Sequence, residues 1–367
     1  MSEDRLPFHA EHIGSLLRPA ALKRANAARK DDPATYEATL KAATAEAIRM
    51  QTEVGLRSIS DGEFRRASWF SAFFEAMPGS FGSTPSRFCF HDKDDGEHSW
   101  PTCCATARIR REGGITLSEY EAIRSQTDRL PKVTMPTPSA FHFFAGRECA
   151  NSLIYPDLDE FWEDLVVVYR KEIAALHAAG AQYVQLDEVP LAMLCDPTIR
   201  EQLKSFGEDP EALTKLYVDI VNRAIAKRPD GMHVGIHLCR GNFRGRWMAS
   251  GGYGPVAQEL FNTLKVDSFF LEYDSERAGD FSPLAEVPAD RIVVLGLVGT
   301  KTPKLEEIEA LAKRVDEATR YIPLERLCLS PQCGFASVAG GNPITENDQR
   351  AKLARVVQTA ELVWGEA

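Results

Sequence analysis

The sequence predicts an α/β fold of the (β/α)8 barrel type. Short apolar stretches, rich in β-branched and aromatic residues, alternate with longer segments of helical pattern along the 367-residue chain. Alternation of this kind indicates a parallel sheet, and eight strand–helix units point to a closed TIM barrel. A doubly wound open sheet is the alternative, but no Gly-x-Gly-x-x-Gly turn follows the first strand.

The eight predicted strands are bounded by turn-forming residues. In chain order they cover residues 8–13, 58–63, 132–135, 183–186, 233–239, 268–273, 292–298 and 327–330. Helical patterns fill residues 19–54, with a break near Asp31-Asp32-Pro33, and then 156–179, 210–226, 304–320 and 346–363. The helix at 156–179 has an apolar stripe that Glu172 interrupts, and Gly180 is expected to end it.

Residues 79–114 interrupt this alternation. They are rich in Gly, Ser, Pro and charge, with alternating segments at 87–91 and 105–111. We predict a β-hairpin inserted after the second unit, lying over the barrel mouth, within a single catalytic domain that spans residues 1–367. The segment also holds Cys89, His91, His98, Cys103 and Cys104. Their spacing fits no metal-binding template well, so ordinary hairpin residues are favoured over a second metal site.

Composition narrows the class of protein. The chain is 44% hydrophobic and 26% charged, which allows a sizeable core. A net charge of −10 and a pI near 5.4 disfavour a nucleic-acid partner, which would need a clustered basic face. No apolar run reaches the roughly 20 residues that span a bilayer. Without a secretion signal, and with eight cysteines lacking dense pairing patterns, a cytoplasmic enzyme is expected. Whether the protein forms a homodimer is left open by the sequence.

Four residues at predicted strand ends form a candidate metal site: His237, Cys239, Glu272 and Cys333. One imidazole, two thiolates and one carboxylate make a four-coordinate zinc shell. Barrel enzymes project their catalytic groups from this end of the strands. Ordinary barrel residues are the competing interpretation, which is reasonable for any one of the four and poor for all of them together.

This ligand set favours a particular chemistry. Zinc held by two thiolates and a carboxylate is a weak Lewis acid for water, but it can keep an external thiol ionised at neutral pH. Alkyl transfer to sulfur follows, with the metal-bound thiolate as the nucleophile. We expect Glu272 to be the ligand that substrate sulfur displaces. Metal-assisted hydrolysis is the alternative, and it usually uses imidazole and carboxylate ligands.

Other strand ends supply candidate substrate contacts. Glu63 and Asp187 would suit an ammonium group, although Asp after a strand is also a common helix cap. The segment at 13–15 offers backbone N–H groups and a hydroxyl to a carboxylate, although Gly-Ser is equally a turn. Lys301 could donate a proton or bind an anion. We take Lys301 and Asp187 as candidate catalytic residues.

These motifs resemble the cobalamin-independent methionine synthase family, namely its C-terminal catalytic barrel and shorter stand-alone relatives. The matching pieces span nearly the whole chain in the right order, and the zinc motif is the most specific. They are His12-Ile13-Gly14-Ser15, Asp61-Gly62-Glu63-Phe64, Gln185-Leu186-Asp187-Glu188-Val189-Pro190, His237-Leu238-Cys239-Arg240-Gly241-Asn242, Leu271-Glu272-Tyr273-Asp274 and Pro331-Gln332-Cys333-Gly334-Phe335.

The resemblance implies a (β/α)8 barrel in which the four ligands named above hold Zn²⁺. It also implies transfer of a methyl group to homocysteine to give methionine. By the same resemblance, Ile13, Gly14 and Ser15 hold the carboxylate of homocysteine, and Glu63 and Asp187 hold its ammonium group.

One departure from the family and two other functions leave alternatives open. Lys301 stands where the synthase has a histidine that assists methyl transfer from folate, so folate, a corrinoid and other methyl donors all stay open. An epoxyalkane:coenzyme M transferase-like enzyme shares the zinc motif. Its sulfonate-bearing thiol would need cations, for which Arg18, Arg65, Arg66 and Arg240 are candidates. A non-catalytic barrel that binds zinc or thiols is the third alternative.

Overall fold

The computed structural model describes residues 6–91 and 96–367. A curved parallel sheet of seven strands, in the order β1-β6-β7-β8-β9-β10-β11, forms the centre of this part of the chain. Its carboxyl edge carries the predicted site residues. The strands are β1 Ser58–Ile59, β2 Phe81–Pro85, β3 Phe90–His91, β4 Glu97–His98, β5 Pro101–Ala105, β6 Leu130–Pro136, β7 Tyr183–Glu188, β8 His233–Leu238, β9 Ser268–Glu272, β10 Ile292–Val298 and β11 Leu327–Pro331.

Helices connect the parallel strands. Three of them, α2, α8 and α9, begin with Pro after an Asp whose side chain accepts a backbone N–H of the first turn. The helices are α1 Ala20–Ala27, α2 Pro33–Glu53, α3 Ser71–Glu75, α4 Leu117–Arg124, α5 Ala140–Phe143, α6 Leu158–Ala178, α7 Pro190–Met193, α8 Pro197–Ser205, α9 Pro210–Ile225, α10 Ala257–Thr263, α11 Ile308–Ala318 and α12 Glu346–Trp364.

The predicted parallel α/β architecture is confirmed, with two differences at its start. Residues 8–13 form one isolated bridge, between Ala10 and Leu329 of β11, in place of a full strand. The strand predicted at 58–63 ends at Ile59, because Gly62 and Glu63 have positive φ angles of 78° and 58° that end the extended backbone. The described sheet therefore has seven strands, and the closed eight-stranded barrel stays a prediction.

Segment 79–114 contains two antiparallel strand pairs, one nested inside the other. The outer pair joins β2 to β5, with Phe81 opposite Ala105, and the inner pair joins β3 to β4. The predicted segments 87–91 and 105–111 do not pair with each other, because the chain turns away after β5 as Thr106 donates to the carbonyl of Ser80. His91 exchanges backbone hydrogen bonds with Trp247, which links the segment to the loop after β8.

Glu172, the polar residue that interrupts the apolar stripe of α6, is buried and hydrogen-bonded. Glu172 is fully buried and accepts hydrogen bonds from Arg111 Nε at 2.7 Å, Thr116 N at 2.7 Å and Ile115 N at 3.0 Å. A buried carboxylate needs such partners, since desolvation without them is costly. The end of segment 79–114 is thereby attached to α6. Across the described residues, no helix combines the length and apolar character that crossing a bilayer requires.

Candidate metal centre and substrate cavity

Three of the four predicted metal ligands converge. His237 lies in β8, Cys239 follows that strand directly, and Cys333 follows β11. All three are buried, and their ligand atoms lie within 4.8 Å of one another. In the described part of the chain they are the only group of three or more His, Cys, Asp or Glu side chains with this spacing. The cysteines and histidines of segment 79–114 form no such group there.

The surroundings of these three side chains fit a soft divalent ion. The sulfurs of Cys239 and Cys333 are 3.3 Å apart. The hydrogen bond from Cys239, together with the adjacent His237, lowers the pKa of Cys333 well below that of an ordinary thiol. Both ring nitrogens of His237 are buried and find no hydrogen-bond partner among the described residues. A buried imidazole without partners is costly unless it coordinates a metal, and this donor set suits zinc.

Glu272, the predicted fourth ligand, is engaged by cations. It ends β9 and is fully buried, and its carboxylate accepts hydrogen bonds from Arg240 N at 2.7 Å and Arg277 Nη2 at 2.9 Å. Lys301 Nζ lies 3.4 Å away. Burial raises the pKa of Glu272, but Lys301 and the two arginines outweigh it and lower this pKa to about 2. Glu272 is not in the group of three above, so its role as a ligand stays a prediction.

Lys301 is linked to the candidate metal centre by its ion pair with Glu272. It follows β10, and its side chain is 10% exposed. Burial lowers the pKa of Lys301, but Glu272 and Asp274 outweigh that effect and raise it. The ammonium group is therefore charged, and it is not among the groups that line the cavity described below.

Glu63 and Asp187 face one cavity. Glu63 Oε1 accepts from Thr134 Oγ1 at 2.7 Å, while Oε2 is buried and has no partner in the described chain. Asp187 Oδ1 accepts from Gln185 Nε2 at 2.8 Å. Burial raises the pKa of both carboxyl groups, and repulsion from Glu63 helps to raise the pKa of Asp187 to about 7. Two buried carboxylates that repel each other favour a cationic ligand between them.

The segment at 13–15 lies beside these carboxylates. Gly14 has a φ angle of 134°, and a Cβ there would come within 2.6 Å of Thr134 Cγ2, so the position requires glycine. Ile13 and Ser15 line the cavity. The carbonyl of Ser15 accepts a hydrogen bond from Phe335 N at 2.9 Å, which ties the segment to the loop that carries Cys333.

The cavity measures about 340 Å³. Glu63, Asp187 and the three metal-binding candidates line it together with six aromatic residues. Sequence reasoning missed these aromatic residues, which come from four separate stretches of the chain. It also missed Arg277, which lies away from any strand end. The aromatic residues are Trp69, Phe70, Phe90, Trp100, Phe144 and Phe243.

None of the four arginines considered as sulfonate ligands lines this cavity. Arg18 donates to the carbonyl of Glu63, and Arg240 donates to the carbonyls of Gly251 and Glu272. Arg66 pairs with buried Glu119 at 2.5 Å and lies 3.7 Å from Glu63, and Arg65 pairs with Glu37 at the surface. None of these arginines is therefore placed to bind a sulfonate in the cavity.

A parallel α/β fold with two cysteines and a histidine at the carboxyl edge of its sheet defines the class of protein. The chain belongs to the family described as "Cobalamin-independent synthase, Catalytic domain", which it matches over residues 8–361. The resemblance predicted from the strand-end motifs is thereby confirmed.

Individual relatives cover nearly the whole chain. It is 37% identical over 366 residues to "Uncharacterized protein YxjH" of Bacillus subtilis (strain 168), which covers 98% of this chain and 96% of that protein. It is 25% identical over 327 residues to a methionine synthase of Pyrococcus furiosus, covering 88% of this chain and 85% of the relative. A crystal structure from Listeria monocytogenes, provisionally assigned as a vitamin-B12 independent methionine synthase, aligns with a TM-score of 0.75 and 33% identity. That alignment covers 98% of this chain and 99% of the other.

Proposed function

We propose that this protein is a zinc-dependent methyltransferase that methylates the sulfur of homocysteine to give methionine. The observation that carries the proposal is the pairing, in one cavity, of a Cys/Cys/His cluster with two buried carboxylates, Glu63 and Asp187. A cluster of that kind suits a thiol, and the carboxylates suit an ammonium group. Homocysteine carries both groups, and family membership supports the same reaction.

Within this proposal, His237, Cys239 and Cys333 hold Zn²⁺, and Glu272 is the fourth, exchangeable ligand. When bound there, the ion lowers the pKa of an incoming thiol, so that the thiol ionises at neutral pH. Lys301 acts as a positioning residue, because its ammonium group lies 3.4 Å from Glu272 and stabilises that carboxylate when it is not coordinating.

The chain's other side chains orient the acceptor. Glu63 and Asp187 bind its ammonium group, which replaces their mutual repulsion with attraction. The backbone around Ile13, Gly14 and Ser15 receives its carboxylate. Binding at both ends fixes the direction in which the sulfur points, and fixed orientation accelerates transfer by lowering its entropic cost.

The coenzyme M alternative receives less support. A sulfonate needs cationic partners, whereas no Lys or Arg side chain is among the described residues that line this cavity. A barrel that binds zinc or thiols without catalysis also receives less support, because the family model describes a synthase catalytic domain.

We also propose that residues 8–13 close the sheet as an eighth strand, giving one (β/α)8 domain over residues 1–367 with 79–114 as an inserted hairpin. Two sets of contacts support closure. On one side, Glu11 N donates to Leu329 O at 2.8 Å. On the other, Ser60 Oγ donates to Gly14 O at 2.6 Å and Leu16 N donates to Gly62 O at 3.1 Å.

Acceptor binding tests the proposed function. Zinc-loaded protein is titrated with homocysteine, with 4-mercaptobutyrate, which lacks the amino group, and with coenzyme M. We expect homocysteine to bind most tightly. Asp187→Asn should remove most of its advantage over 4-mercaptobutyrate, while Asp31→Asn, an exposed control between α1 and α2, should leave it intact. Tighter binding of coenzyme M, unaffected by Asp187→Asn, would show that the amino-acid acceptor is wrong.

A further inference from the structure

The aromatic rings that line the cavity contact one another in a continuous series. Trp69 and Phe70 meet edge to face with ring centroids 5.2 Å apart, and Phe70 lies 6.1 Å from Trp100. Trp100 lies 4.7 Å from Phe144 and 5.8 Å from Phe90, which stacks on Phe243 at 5.2 Å. We call these six residues the aromatic wall. Aromatic rings that line one space can bind an organic cation through cation–π attraction.

The charges of the cavity point in the same direction. No Lys or Arg side chain is among the described residues that line it. Arg66 pairs with Glu119 and lies 3.7 Å from Glu63, and Lys301 pairs with Glu272. No lysine or arginine of the described lining therefore opposes a positively charged methyl donor.

Size limits the donor further. A cavity of about 340 Å³ lies at the low end of the range usual for one drug-sized ligand. Here it must hold the acceptor as well as the methyl donor. A donor of amino-acid size meets this limit.

We propose that the methyl donor of this site is a small organic cation, a methylsulfonium or methylated quaternary ammonium compound, bound against the aromatic wall. This inference rests on the proposed function, because the acceptor is the thiol assigned above. It adds a donor class to that function and gives segment 79–114 a task, since Phe90 and Trp100 belong to it.

The transfer step balances without any further reactant. The acceptor thiol first loses its proton to bulk water. The resulting thiolate forms the new S–CH3 bond with its own electron pair, while the S–CH3 bond of the sulfonium breaks and its electron pair stays on the donor sulfur. The donor leaves as a neutral thioether. Because it is already cationic, it needs no proton to become a good leaving group.

A donor panel tests this inference. Zinc-loaded protein and homocysteine are incubated with S-methylmethionine, glycine betaine, methyltetrahydrofolate or methylcobalamin, each labelled in the transferred methyl group. We expect label in methionine from S-methylmethionine, and more slowly from glycine betaine, whose amine is a poorer leaving group. Failure of both cations to transfer label overturns the donor assignment, whatever the other two donors do. The proposed function is judged separately, from zinc-dependent binding of homocysteine.

Variants of the wall give a second readout. Trp100→Leu should raise the KM for the cationic donor about tenfold with little change in kcat, whereas Trp100→Phe should keep it within about threefold. The exposed Arg244 lies over the Phe243 ring, 5.7 Å from its centroid. Arg244→Gln removes this competing cation and should not raise the KM for a cationic donor, and a strong rise in that KM would contradict the assignment.

Competition between a minimal quaternary cation and labelled S-methylmethionine tests the wall in the unmodified enzyme. Tetramethylammonium should inhibit competitively with the donor, and the neutral tert-butanol, of similar shape, should not inhibit at the same concentration. Equal inhibition by the two compounds would show that the wall recognises apolar shape alone and would overturn the proposal.

Discussion

The sulfurs of Cys239 and Cys333 lie 3.3 Å apart, although the residues are 94 positions apart in sequence. They follow β8 and β11, and two further strands separate these in the sheet. In a flat sheet three strand spacings amount to about 14 Å. Only strong curvature of the sheet brings the two sulfurs into contact, so the fold itself assembles the candidate metal centre.

Removal of either sulfur should abolish the metal centre. Cys239→Ser and Cys333→Ser are each expected to weaken zinc binding by more than the 10- to 100-fold typical of changes outside the ligand shell, and to abolish methyl transfer while the fold is retained. Zinc content after dialysis, with circular dichroism, measures both. Cys195→Ser, at a buried cysteine whose thiol donates to Leu191 O, is the matched control and should keep its zinc. Full zinc occupancy in the Cys239→Ser/Cys333→Ser double variant would remove both residues from the site.

Glu272→Gln should retain more zinc than the cysteine variants, because the carboxylate is the ligand expected to exchange. The change also leaves Arg277 and Lys301 without their shared counter-charge. We therefore expect a loss of about 1–3 kcal/mol in the free energy of unfolding. Competition with a chelator and urea denaturation measure the two effects. Lys301→Met is the companion variant, because it removes the ammonium group and keeps the Glu272 carboxylate. If Glu272→Gln binds zinc as poorly as Cys239→Ser, the exchange role is wrong.

Acid should destabilise the fold through His142. This side chain contacts Tyr217 Oη at 2.8 Å, and burial, helped by Arg87 and Arg147, lowers its pKa to about 3 from an ordinary 6.5. Between these values the unfolded chain binds a proton that the folded protein does not, so stability falls as pH drops from about 6.5 towards 3. Near pH 4.5 this contribution amounts to about 2–3 kcal/mol.

The free energy of unfolding by urea, measured from pH 7 to pH 4.5, tests this effect. The slope of the unfolding free energy against pH should be smaller for His142→Gln than for the wild type, by the equivalent of up to one bound proton. His177→Gln, which removes an exposed imidazole, controls for the substitution itself. Parallel curves for wild type and His142→Gln would contradict a neutral, buried His142.

Much of the candidate site could be predicted because strand ends are visible in sequence. The alternation of apolar strands with helices placed His237, Cys239 and Cys333 at one edge of a parallel sheet, and the structure brings these three together. The pairing of Glu272 with Arg277 could not be foreseen, because Arg277 lies on a short 3-10 helix that no periodic pattern marks.

The aromatic wall was equally invisible in sequence. Its six rings belong to four connecting segments, and only the tertiary fold brings them to one space. The early end of β1 was missed for a different reason. Glu63 adopts a positive φ angle of 58°, which local propensity does not favour in a residue other than glycine, asparagine or aspartate. Its contacts with Arg66 and Thr134 accompany this backbone conformation.

X-ray absorption at the zinc edge, recorded with and without homocysteine, tests the thiol-binding metal centre most directly. We expect two sulfur scatterers in the free protein and three after homocysteine is added, with the loss of one oxygen scatterer as Glu272 leaves. An unchanged sulfur count at saturating homocysteine, or a protein that binds no zinc, would contradict the proposed chemistry.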